Sequence, residues 1–138
     1  MQKRIKIVLV DDDPDEESIF QIALDFLGIE YDFLFFEKAY DFVSYIENDA
    51  NVLPDIVFVD MKMPQISGKD LIKKIRDNHR FDAMQAIIYT AHINEQDKNA
   101  MIAMGIYEFF IKPTEFSELT EMLKVMIERG ATNAKNKT

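Results

Sequence analysis

The sequence predicts an α/β domain built on a doubly wound parallel sheet. Five strand-like apolar runs alternate with five helix-period segments, and four of the runs end in a residue suited to a phosphate or a cation. Continuous apolar runs mark strands covered on both faces, and the periodic segments between them mark the covering helices. The endings are Asp11-Asp12-Asp13 after Ile5–Val10, Asp60 after Ile56–Val59, Thr90 after residues 86–89, and Lys112 after Phe109–Ile111. Parallel strands place their C-terminal ends on one edge, where open α/β sheets bind ligands, so the four endings predict one shared site.

The elements follow in order. After the first strand, Pro14 opens a helix with Ile19, Phe20, Ala23, Leu24 and Leu27 on one face and Gly28 as its stop. Tyr31–Phe36 is the second strand. A shorter helix spans 39–48 with Phe42, Val43 and Ile46 inward, and a polar loop through Pro54 leads to the third strand at Ile56. Gly68 breaks the loop after Asp60, and Leu71, Ile72 and Ile75 give a helix ending near Asn78. The fourth strand is 86–90, and a helix over 94–104 is closed by Gly105. The fifth strand runs to Lys112, where Pro113 stops it. The last helix, 115–129, carries Phe116, Leu119, Met122, Leu123, Met126 and Ile127 at helical spacing. From Gly130 the chain lacks an apolar face, so 1–129 is read as one domain and 130–138 as a disordered polar tail.

Composition narrows the function. With 25 acidic against 16 basic residues the formal charge is −9, which disfavours direct nucleic-acid binding through clustered Lys and Arg. The chain has no cysteine, which excludes disulfides and thiolate metal sites. The basic N-terminus is followed by an apolar run that Asp11 cuts short, too brief for a signal peptide or membrane span. A cytoplasmic protein without membrane insertion is expected.

The edge residues carry the chemistry. Asp11 and Asp12, with Asp60 from a neighbouring strand, offer the hard oxygen ligands that Mg²⁺ prefers. Without a cation these carboxylates repel one another and take up protons, so the metal also keeps Asp60 ionised. Ionised Asp60 is a candidate nucleophile that forms an acyl-phosphate, with Mg²⁺ and the Lys112 ammonium neutralising the phosphoryl charge. Thr90 offers a hydroxyl to a phosphoryl oxygen and so a conformational latch. Taken alone, Asp60 reads as a cap, Thr90 as a strand residue and Lys112 as a solvated charge; their occurrence at four strand ends in order favours the joint site.

The chain resembles the response-regulator receiver domains of bacterial two-component signalling. The resemblance rests on Val8-Leu9-Val10-Asp11-Asp12-Asp13, Pro54-Asp55, Asp60-Met61-Lys62-Met63-Pro64 with Gly68, Tyr89-Thr90-Ala91 and Lys112-Pro113. It implies a flavodoxin-like (βα)5 fold with strand order 2-1-3-4-5. It further implies Asp60 as phosphoacceptor, Asp12 and the Lys62 backbone carbonyl as direct Mg²⁺ ligands, and Asp11 assisting through water. Thr90 and Lys112 then bind the phosphoryl group, and Phe109 is the aromatic switch, acting by packing because it has no hydroxyl. The implied partners are a histidine kinase or histidine phosphotransfer protein and an unnamed downstream protein; a phosphorylation-linked homodimer is compatible with the resemblance. No separate turnover substrate is expected, and a stand-alone receiver is expected because the chain stops after the fifth helix. Lys62 and His92 occupy variable positions beside the phosphoryl pocket and bear on its lifetime. Met101, Met104 and Tyr107 are candidate partner-face residues or ordinary packing.

Three other readings compete with this one. An EF-hand loop starting at Asp11 fails because Glu16 stands where glycine is needed and Ile22 where a bidentate acid is needed. A haloacid-dehalogenase-like phosphatase with Asp11 as nucleophile needs another acidic pair after the lysine, and Glu115 and Glu118 lack that strand-end context. A phosphorylation-independent interaction module leaves the acceptor set without a purpose.

Overall fold

The computed structural model describes residues 4–106 and 108–136, with side chains as far as Arg129. Five parallel strands, β1 (Ile5–Val10), β2 (Tyr31–Phe36), β3 (Ile56–Val59), β4 (Gln85–Thr90) and β5 (Phe109–Ile111), form one sheet in the order β2-β1-β3-β4-β5. Between and after them lie α1 (Asp15–Phe26), α2 (Ala39–Glu47), α3 (Gly68–Arg76), α4 (Glu95–Ala103) and α5 (Phe116–Asn136). This is the doubly wound arrangement that the strand and helix alternation predicts, with the flavodoxin-like strand order that the resemblance implies.

Period-two alternation along the strands sorts the core into two layers. Val8, Val10, Val57, Val59 and Ile88 face α2, α3 and α4, meeting Phe42, Ile46, Leu71, Ile75 and Met101. Ile7, Leu9, Ile56, Phe58, Ile87 and Tyr89 face α1 and α5, meeting Phe20, Leu24, Leu119, Leu123 and Met126. Every residue of β3 is fully buried, so this strand cannot shift without disturbing both layers. Phe20 anchors the α1 side, with edge contacts to Phe58 at 5.1 Å and to Tyr89 at 5.6 Å between ring centroids.

Several details depart from the sequence reading. Ile19 is 45% exposed, because it lies about 100° round the helix from Phe20, at the margin of the inward stripe. Phe116, expected among the core residues, is 43% exposed at the first position of α5. The third helix stops at Arg76 rather than near Asn78, giving way to a short 3₁₀ turn, His79–Phe81, whose first free N–H groups include Arg80 N–H, bound at 3.0 Å by the Asn78 side chain. The Arg76 guanidinium closes that turn by donating to the carbonyls of Phe81 and Met84, at 3.1 and 2.6 Å. The fourth helix is one residue shorter at each end than expected and buries Met101 alone. The fifth helix continues to Asn136 where a polar tail was expected from Gly130. Extending an established helix costs far less than nucleating one, and Ala131, Ala134 and Lys135 are good helix formers.

Gly68 does more than break a loop. It opens α3, with the Ser67 hydroxyl accepting from Asp70 N–H at 3.3 Å as the cap. A Cβ at this position would stand 2.3 Å from the carbonyl oxygen of Asp60, so only glycine lets the helix start press against the end of β3. The loop before it carries Gln65 at φ 75, held by a bond from Ile66 N–H to the Pro64 carbonyl at 2.9 Å.

Candidate functional site

Strand register brings the predicted residues together. Val10 lies beside Val59, and Thr90 beside Ile111, so the residues just beyond these pairs share one edge. Backbone bonds continue past the strands: Asp11 N–H donates to the Phe36 carbonyl at 3.0 Å, Asp60 N–H to the Val10 carbonyl at 2.9 Å, and Lys112 N–H to the Thr90 carbonyl at 2.7 Å. The ladder itself, rather than a mobile loop, therefore aims Asp11, Asp60 and Lys112.

The aspartates at the end of β1 have separate positions. Asp11 is fully buried, with Oδ1 accepting from Asp13 N–H at 3.0 Å and Oδ2 facing Lys112 Nζ at 2.6 Å. Asp12 is exposed. Asp13 accepts from Asp15 N–H at 3.0 Å and serves the start of α1. Carboxylate oxygens of Asp11, Asp12 and Asp60 all lie within 4.8 Å of one another. Among the described residues this is the acidic group able to hold a metal ion, and neither Glu115 nor Glu118 belongs to it.

Electrostatics shows the strain of that grouping. Burial raises the pKa of Asp60, and the Asp11 charge raises it further, against the opposing effects of Lys112, the Thr90 hydroxyl and a backbone hydrogen bond from Lys62. Burial alone would depress Lys112, yet the hydrogen bond and charge of Asp11, with Asp60 and Glu16, outweigh it and hold the ammonium above its ordinary range. Three oxygen donors with no sulfur or imidazole among them, crowded at a cost in mutual repulsion, fit a hard divalent cation. Beside Asp12 opens a cleft of about 510 Å³, lined by Lys62, Met63, Pro64 and Ser67 and bounded by the Lys69–Asp97 ion pair at 3.6 Å. It gives solvent access to the acidic group from the α3 and α4 side.

The remaining predicted residues are placed as follows. Thr90 is 2% exposed, and its hydroxyl donates to the His92 carbonyl at 3.3 Å. The His92 and Lys62 side chains are exposed. Phe109 is partly buried against the layer that contains Met101 and Ile106, with Lys98 Nζ 5.7 Å from its ring centroid. Met101 is fully buried and so is core rather than partner surface, whereas Met104 is 36% exposed. Tyr107 lies outside the described residues.

Glu16 enters the sequence reading only as a mismatch to the calcium-loop pattern, yet it stands beside the site. Its Oε1 stands 3.6 Å from Lys112 Nζ. The signal was legible: Glu16 precedes Phe20 by four residues and Ala23 by seven, so it continues the inward stripe of α1 to the level of the site. Desolvation raises its pKa, opposed by Lys112 and reinforced by Asp11 and Asp13.

Comparison with known proteins agrees with this architecture. Chemotaxis protein CheY1 of Helicobacter pylori is 28% identical over 123 residues, covering 89% of this chain and 97% of CheY1. An uncharacterized 14.6 kDa protein of Leptolyngbya boryana is 27% identical over 121 residues, covering 88% of each. Among solved structures, the phosphorylated cyanobacterial phytochrome response regulator RcpA superposes with a TM-score of 0.79 at 20% identity, covering 91% of this chain and 93% of RcpA. A CheY-like response regulator receiver domain protein from Methanospirillum hungatei JF-1 gives 0.77 at 22% identity, covering 97% of this chain and 99% of that one. Likeness at these identities shows the shared fold. The sequence pattern of the response regulator receiver domain extends over residues 7–124, nearly the whole described sheet with its helices, and the chain accordingly belongs to that family.

Proposed function

We propose that this receiver domain takes a phosphoryl group on Asp60 from a phosphohistidine of a kinase or phosphotransfer protein, in a reaction that requires Mg²⁺. The observation that carries the reading is the convergence of buried Asp60 with Asp11 and Asp12 within 4.8 Å, on the sheet edge that also holds Thr90 and Lys112. As the bond from an Asp60 carboxylate oxygen to phosphorus forms, the bond from phosphorus to the donor nitrogen breaks, and the imidazole departs. Asp11, Asp12, Asp60 and the Lys62 backbone carbonyl are the proposed metal ligands, and Mg²⁺ held there supplies neutralisation of phosphoryl charge. A Mn(2+)-bound form of response regulator Rcp1, similar in fold, supports a divalent ion.

Lys112 supplies the second cation. Its ammonium leaves Asp11 for a phosphoryl oxygen as the dianion arrives, and Thr90 turns its hydroxyl from the His92 carbonyl toward the same group. Phe109 follows by packing into the space that Thr90 vacates, which shifts an equilibrium of α4, β5 and α5 read by a downstream protein or by a second copy of the chain. The domain assists its own phosphorylation and dephosphorylation and turns over no separate substrate. Its place of action is the cytoplasm; among the described residues no helix is long and apolar enough to cross a membrane.

Intact-mass measurement after incubation with a small acyl-phosphate and Mg²⁺ tests the assignment. The parent gains one phosphoryl group, and Asp60→Asn gains none. Labelling that survives in Asp60→Asn and disappears in Asp11→Asn would favour the phosphatase-like chemistry and overturn the proposal.

A further inference from the structure

Lys112 is held from three directions, all on the α1 side of the sheet. Asp11 Oδ2 lies 2.6 Å from Nζ, Glu16 Oε1 3.6 Å away, and the Tyr89 ring centroid 5.8 Å away. The lysine and glutamate side chains are 14% and 16% exposed, so solvent screens their attraction only in part. Glu16 stands on α1, beyond the three carboxylates that form the metal-binding group.

We propose that Glu16 is a positioning residue that restrains the Lys112 ammonium on the α1 side and so opposes phosphoryl binding at Asp60. This rests on the reading of Asp60 as acceptor and Lys112 as its phosphoryl ligand. In the resting arrangement Asp11 meets the ammonium at 2.6 Å, and Glu16, at 3.6 Å, adds a second charge attraction. Asp11 is released when a divalent cation claims the carboxylates. Glu16 has no such alternative partner, and becomes the counter-ion that an incoming phosphoryl group must outcompete. Its negative charge also repels the dianion directly, so contact and charge act in the same direction.

Two opposed effects follow from neutralising it. In Glu16→Gln, Lys112 is freer to meet the phosphoryl group, so affinity for beryllofluoride at saturating Mg²⁺ rises, by about 2- to 5-fold for one partly screened charge contact. Lys112 then also leans more heavily on Asp11, and one negative charge is gone, so Mg²⁺ alone binds more weakly, by about 2- to 5-fold. Glu16→Asp keeps the charge but withdraws it by one methylene, and falls between parent and Gln in both measurements. A glutamate that merely stabilised the start of α1 would leave Asp indistinguishable from parent and would not split the two affinities in opposite directions.

The experiment titrates Mg²⁺ alone, and then beryllofluoride at saturating Mg²⁺, into parent, Glu16→Gln and Glu16→Asp, following amide resonances near Asp60 and Thr90, with circular dichroism verifying the fold of each. Tighter beryllofluoride binding with weaker Mg²⁺ binding in Gln, and intermediate values in Asp, support the restraint. Beryllofluoride binding that is unchanged or weaker in Gln, or parent-like values in Asp, overturn it while leaving the Asp60 reading intact. Failure of the parent to bind the mimic overturns that reading and this inference together.

Discussion

Replacing Gly68 by alanine tests whether the start of α3 positions the acceptor. The added Cβ would lie 2.3 Å from the Asp60 carbonyl oxygen and 2.9 Å from both the Asp60 carbonyl carbon and Met61 Cα. An ordinary C···O contact is about 3.3 Å, so roughly 1 Å must open. None of the three opposing atoms is a flexible side-chain end. Asp60 is tied to Val10 by its own N–H, and β3 is wedged between two buried layers, so the displacement falls on the loop and on the bond from Gly68 N–H to the Met61 carbonyl, now 2.9 Å. Overpacking of this kind costs about 1–3 kcal/mol, against which the better helix propensity of alanine returns at most about 1 kcal/mol. The expected outcome is a lower urea midpoint at unchanged slope. Phosphorylation should suffer more than stability, because a misplacement near 1 Å costs up to about 100-fold in rate. Gly28→Ala is the comparison: its φ of 67 is unfavourable for alanine, but nothing lies within 4 Å of the added carbon, so stability falls while the labelling rate of the folded protein does not. A Gly68→Ala protein that unfolds and accepts phosphate like the parent would refute the reasoning.

Lys112→Ala strands the fully buried Asp11 carboxylate without its cation, so the metal-free variant should lose about 3 kcal/mol and regain more stability from saturating Mg²⁺ than the parent does, as read by thermal melts with and without the ion. Asp60→Asn should stabilise the metal-free protein at neutral pH. Because the folded-state pKa of Asp60 is raised, the native state holds its proton to higher pH than the unfolded chain, and ionisation opposes folding as pH rises through that window. Urea midpoints of variant and parent in chelator should therefore diverge above the ordinary carboxylate range and converge well below it; equal midpoints at neutral pH would count against the crowding. Beryllofluoride with Mg²⁺ should move the amide resonances around Thr90 and from Met101 to Phe109, and a spectrum unchanged there at saturation would eliminate the proposed switch.

How far the residues could be read depended on whether their signal was local. Strand ends were legible because a continuous apolar run must be buried, and the polar residue that terminates it must lie at the sheet edge. Asp60, Thr90 and Lys112 each stand one residue past or at such an end, and the structure gathers them there. The division of labour within Asp11-Asp12-Asp13 was not legible from residue type: the first is buried against Lys112, about a hundred residues later, the second is exposed, and the third accepts locally from Asp15 N–H. Glu16 had a local signal, its place on the inward stripe, which the charge run around it concealed. Gly68 looked like a loop breaker because its close approach to Asp60 is a tertiary distance. The 3₁₀ turn at His79–Phe81 depends on Arg76 reaching two carbonyls, a contact that helical periodicity does not encode.

The resting bond of Thr90 has a bearing on the direction of the proposed switch. At 3.3 Å to the His92 carbonyl it is long for an O–H donor, and the residue that accepts it is exposed. Water can replace the hydroxyl there, so turning Thr90 away costs little, and a charged phosphoryl oxygen offers the stronger acceptor. The proposed motion is therefore biased toward the phosphoryl group. Ile88, two residues before Thr90, is paired with Phe109, and both belong to the layer of Val57, Met101 and Ile106 rather than to that of Tyr89 and Phe110. A change in the packing of Phe109 is felt first by Met101, the residue that α4 buries, and by Lys98 above the ring. Of α1 to α4, α4 thus has the least core to hold it, and its Lys98 lies over the ring of the proposed switch residue, which makes its position the quantity that the proposed phosphorylation at Asp60 can move at the smallest cost to the fold.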